Sequence, residues 1–149
     1  LKPNFFQESV SNLLTCSDPT AGPVFLQALN DPSHRVRSIA CISIGNISYK
    51  PAIPVLKRLI SDPEPDVRAS ACCALGEMDD TASEHELLKA ATDNEVNVRY
   101  EAARALLRIG NPKGCLVLEE MLAKKESPWY LKQRDFFKEV RHVLKGDGK

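Results

Sequence analysis

An all-α chain wound as a right-handed α-solenoid, with about four and a half two-helix repeats and nine helices, is predicted by three features of the 149 residues. The first is self-similarity at a fixed offset of 31 residues. That offset brings Asp31-Pro32-Ser33-His34-Arg35-Val36-Arg37 onto Asp62-Pro63-Glu64-Pro65-Asp66-Val67-Arg68, and then onto Asp93-Asn94-Glu95-Val96-Asn97-Val98-Arg99. Agreement over so many positions means an internal repeat, which decides the architecture before any single element does. The second feature is apolar spacing of three and four residues, with no alternation of strand period. The third is the turn chemistry, Asp-Pro or Asp-Asn, that recurs between units.

Each unit reads as a first helix, a short turn, a second helix and a tight turn. In residues 31–61, Val36, Ile39, Ala40, Ile44 and Ile47 mark the first helix, and Val55, Leu56, Leu59 and Ile60 the second. Residues 62–92 and 93–123 repeat the plan. Ala40, Ala71 and Ala102 fall in register where helices must approach closely, and Phe25, Leu56, Leu87 and Leu118 form a row along the second helices. Pro32, Pro51, Pro65, Pro112 and Pro128 fall at expected helix starts, where a missing N–H costs little. A lone helix pair leaves its apolar stripe bare, so stacked neighbours make the core and the end segments act as caps. Residues 1–30 form the N-terminal cap unit, with Phe5, Phe6, Val10, Leu13 and Leu14 continuing the first-helix pattern. Residues 124–149 supply a last helix that turns Trp129, Phe136, Phe137, Val140 and Leu144 toward the core. Residues 1–149 are thus expected to be a single repeat domain, and a monomer.

Composition narrows the function. An apolar fraction of 43% is enough for a continuous core, and twenty basic residues balance twenty acidic ones, so no global field attracts a phosphate backbone. No run approaches the roughly 18 to 20 apolar residues that span a bilayer, and Leu1-Lys2-Pro3-Asn4 has none of the regions of a signal peptide. A cytoplasmic location is expected, and Leu1 in place of a start methionine reads as a piece of a longer chain. Cys16, Cys41, Cys72, Cys73 and Cys115 make an odd set without C-x-x-C spacing and are read as reduced, buried thiols.

The pattern Asp62, Val67, Arg68, Ala71, Leu75 and Gly76 resembles the short HEAT-like repeats of the phycobilisome-lyase type, and the resemblance covers about residues 20 to 123. It implies a non-enzymatic scaffold or adaptor that binds a protein or peptide, with no cofactor. It also admits a lyase-like or chaperone-like role toward a tetrapyrrole protein. Two departures stand out: Leu107 replaces the glycine of Gly45 and Gly76, and Lys124 replaces the aspartate that begins a unit. In such repeats Asp31, Asp62 and Asp93, with Arg37, Arg68 and Arg99 six residues on, form a structural ladder in which a carboxylate caps the helix start and meets a guanidinium from its own or the next unit.

Signs of chemistry are few. His85-Glu86 invites comparison with deoxyhypusine hydroxylase, a HEAT-like iron enzyme, but that family places the pair just after Val-Arg, where this chain has Arg37-Ser38, Arg68-Ala69 and Arg99-Tyr100. No catalytic or metal-binding residue is assigned. Second helices of solenoids usually line the concave face, and their outward rows carry Lys57, Arg58, His85, Leu88, Lys89, Glu119 and Glu120 as candidates for contact with a protein partner. Eight Lys or Arg against four acids in residues 124–149 give the alternative of nucleic-acid binding through the last helix, which the neutral whole disfavours.

Overall fold

The computed structural model describes residues 18–129, 131 and 133–146. Eight α-helices lie among them, with no strand. The first helices of three units are α2 (His34–Ile47), α4 (Pro65–Glu77) and α6 (Val96–Arg108). The second helices are α1 (Gly22–Ala28), α3 (Ile53–Leu59), α5 (Glu84–Ala90) and α7 (Lys113–Ala123), and α8 (Gln133–Leu144) follows. The ninth helix, expected through Phe5 to Leu14, lies outside the described residues.

Boundaries follow from local chemistry. The first helices start after extended N-cap residues, Ser33, Glu64 and Glu95. They end in a Schellman motif at repeat-equivalent positions. Ser48 donates to Gly45 O and Tyr49 to Ile44 O; Asp79 and Asp80 do the same to Gly76 and Leu75, and Gly110 and Asn111 to Leu107 and Leu106. The motif needs a left-handed residue, and Ser48 (φ 51°), Asp79 (φ 51°) and Gly110 (φ 85°) supply it. Only the glycine does so without steric cost. Pro65 opens α4 and Pro112 is the N-cap of α7, as their spacing predicts.

Packing makes one stack. α2 packs along α4 and α4 along α6, and each of α1, α3 and α5 packs on the first helix that follows it. The first helices approach backbone to backbone. A Cβ at Gly45 would stand 2.9 Å from Ala74 Cα, and one at Gly76 2.8 Å from Ala105 Cα. Behind this contact Phe25, Leu56 and Leu87 are fully buried, with Ala40, Ala71 and Ala102 and with Ile44, Leu75 and Leu106. The aligned rows of the repeat are therefore the spine of the core.

The third unit departs from its predecessors for a physical reason. Leu107 joins a second apolar cluster, formed by Tyr100, Ala103, Leu118, Met121, Phe136 and Val140, that seats α8. The close approach has moved onto α7, where a Cβ at Gly114 would come within 2.8 Å of Leu107 Cγ. Phe136 meets Tyr100 edge to face at 5.6 Å. Trp129 corrects an expectation: it lies before α8 and is 79% exposed, so Phe136 and Val140 fill the core without it. On its other side α8 exposes Arg134, Lys138 and Arg141. Among the described residues no helix is long and apolar enough to cross a membrane.

Candidate functional site

The ladder residues meet across repeat boundaries. Asp31, Asp62 and Asp93 each accept the backbone N–H two residues on, at 2.8, 3.0 and 2.9 Å, which fixes the turn and its N-cap residue. Arg37 donates from Nε and Nη2 to both carboxylate oxygens of Asp62, at 2.9 and 3.0 Å. Its Nη1 donates to the carbonyls of Asp31 and Pro32 in its own turn, at 2.9 and 3.1 Å. Arg68 repeats the pattern on Asp93 and on the carbonyls of Asp62 and Pro63. The sequence left the arginine's partner open between its own and the next unit; the side chain of the next unit and the backbone of its own share it.

Arg99 completes the series with a substitute. Its Nη1 holds the carbonyls of Asp93 and Asn94, and its Nη2 donates to Glu126 at 2.5 Å, in place of the aspartate lost at Lys124. The signal was present in the sequence, since Glu64, Glu95 and Glu126 stand 31 residues apart. With side chains only 14% and 6% exposed, the Arg37–Asp62 pair is far from the freely solvated pairs that contribute almost nothing. The Asp62 bond also holds the Arg37 guanidinium above its ordinary pKa. Most of each arginine's donors are used within the repeat stack.

The second-helix candidates divide into two groups. Lys57 Nζ donates to Ala82 O at 2.8 Å and lies 3.8 Å from Glu86 Oε1, which ties α3 to α5. Arg58 donates to Asn30 Oδ1 at 2.6 Å, just past the end of α1. Asn111 ties the start of α7 to α5 through Glu84 at 2.8 Å. The second helices thus stand side by side, joined by polar side chains. His85, Lys89, Glu119 and Glu120 are exposed, Leu88 is half-buried against the core, and Leu116 on α7 is 63% exposed. Glu120 pairs with Lys124 along α7 at 2.6 Å. Glu86 occupies a row that holds Val24, Val55 and Val117 in the other units, and its Oε2 is buried without a hydrogen-bond partner among the described residues.

Metal-ligating types do not converge: among the described residues no three of His, Cys, Asp and Glu are placed to hold an ion. Cys41 and Cys72 are buried and Cys73 and Cys115 half-buried, all free thiols, while Cys16 lies outside the described residues. Burial pushes the Cys41 thiol up to about 12 and that of Cys73 up to about 11, the wrong direction for a nucleophile.

Stacked helix pairs, cross-linked by a recurring arginine–carboxylate bond, define a helical-repeat protein of the solenoid class. The family model for HEAT repeats matches residues 22–84 and, in an overlapping second match, 54–134, and the chain belongs to the HEAT-repeat family. HEAT repeats are generally protein-interaction scaffolds and typically non-enzymatic. No curated protein matches the chain.

Proposed function

We propose that the chain is a non-enzymatic scaffold or adaptor that receives a protein or peptide on its second-helix face. One observation carries the reading: Leu116 stands exposed on α7, a helix that also carries the exposed Glu119 and Glu120 and is tied by the Asn111–Glu84 bond to α5, which carries the exposed His85 and Lys89. An exposed apolar anchor on a face with charges of both signs suits a protein interface, and a uniform phosphate backbone has no use for it. Lys57 and Arg58 belong to the same face and set the spacing of its helices. The test is affinity capture from native lysate with the tagged chain, alongside Lys89→Glu and Leu116→Asp variants. Both substitutions are at exposed positions, so the melting temperature should hold while capture of the specific partner falls about tenfold or more. An unchanged set of captured proteins with both variants removes the assignment.

A further inference from the structure

The opposite face, built from the first helices, carries an apolar groove of about 370 Å³ that no sequence row announced. Its origin is a step in side-chain size. Where the third unit places Tyr100 and Arg104, the first two place Ser38 and Ile42, then Ala69 and Cys73. Tyr100 is buried with the Arg104 guanidinium 5.6 Å above its ring. The Ser38 and Ser70 hydroxyls satisfy each other at 2.7 Å, which leaves the floor apolar in effect. Ile42 at 39% exposure and Trp129 at 79% stand on the walls, and the backbone N–H of Trp129 is fixed by Asn97 Oδ1 at 3.1 Å.

Among the described lining residues two carry a charge, the carboxylates Asp66 and Glu101. Arg104 holds Glu101 at 3.4 Å, whereas Asp66 has no ion-pair partner among the described residues. We propose that this groove is a second docking site, for a partner segment that inserts an aliphatic side chain between Ile42 and Trp129 and lays a neighbouring Lys or Arg over Asp66. A tryptophan wall beside a small-residue floor is the form of an anchor pocket, and Asp66 selects the flanking cation.

The test is a selection of random peptides displayed on phage against the whole chain. Trp129 is the one tryptophan in the sequence, so its emission reports on occupancy. Enriched peptides should carry an aliphatic residue next to Lys or Arg and shift the emission to shorter wavelength. They should lose about tenfold or more in affinity on Asp66→Lys and on Ala69→Leu, and bind Lys89→Glu unchanged. Asp66 is exposed, so that variant stays informative even where Ala69→Leu disturbs the fold. Enrichment of acidic peptides, binding indifferent to Asp66→Lys, or no enrichment at all overturns the proposal. Because the second-helix face is tested by Lys89→Glu and Leu116→Asp, failure here leaves that reading standing.

Discussion

Arg68 and Asp93 belong to different repeats, yet they share two hydrogen bonds of 2.8 and 3.1 Å while Arg68 also holds two carbonyls of its own turn. One guanidinium therefore fixes a turn and a repeat boundary together. Both side chains are about 15% exposed, so removing either leaves a charge poorly compensated. Arg68→Ala should lower the unfolding free energy by about 3 kcal/mol. Arg68→Lys should recover only part of it, since an ammonium cannot make the paired contact. Denaturant melts of Arg68→Ala, Asp93→Ala and the double variant decide the matter. Costs that simply add would show that the two residues act separately.

Ser48 and Asp79 take a left-handed conformation that Gly110 takes in the next unit. An L side chain there costs roughly 1–2 kcal/mol, partly returned to glycine as backbone entropy in the unfolded chain. Ser48→Gly and Asp79→Gly should each raise stability by about 0.5–1 kcal/mol. A fall in the denaturation midpoint of either variant would mean that its side chain makes a contact worth more than the strain.

The repeat was legible because its physics is local and periodic. Register at 31 residues carries the turn aspartates, the apolar spine and the small residues of the helix contacts, and each is set by its own unit and one neighbour. What stayed hidden depends on side-chain reach. Lys57 and Arg58 look like free cations in a row of outward residues, and their hydrogen bonds to Ala82 and Asn30 appear only once the second helices stand side by side. Trp129 fits an apolar pattern, but the chain turns before α8 begins and leaves it outside the cluster that Phe136 fills. The groove under Ile42 and Trp129 comes from differences between repeats, which an alignment that seeks their likeness averages away.

Gly76 permits the contact of α4 with α6, as Gly45 permits that of α2 with α4. A Cβ at Gly76 would press on Ala105 Cα at 2.8 Å and on its Cβ at 2.9 Å, both carried by a helix rather than by a flexible chain end. Gly76→Ala should therefore destabilise by about 1–3 kcal/mol, although alanine is the better helix former. Pairing it with Ala105→Gly removes the Cβ contact and leaves the Cα one, so it should restore only part of the loss. An unchanged melting temperature for Gly76→Ala alone would show that the two helices part without cost.

Three thiols give the fold a pH dependence of definite sign. Cys41 and Cys73 ionise near 9.0 when exposed, and burial in the folded chain pushes them up to about 12 and about 11, with Cys72 further still. Above the exposed value the unfolded chain releases these protons while the folded chain keeps them. The folded state then binds more protons, so stability falls as pH rises through 9.0 toward 11, and below that window the thiols contribute no slope. Each fully responding thiol contributes about 1.4 kcal/mol per pH unit, which three together make steep. Urea midpoints between about pH 8 and about pH 10.5 should drop for the native sequence and change less for a Cys41→Ala, Cys72→Ala, Cys73→Ala variant, with the slope rather than the absolute stability as the readout. Equal slopes in the two chains would show that burial does not hold these thiols protonated.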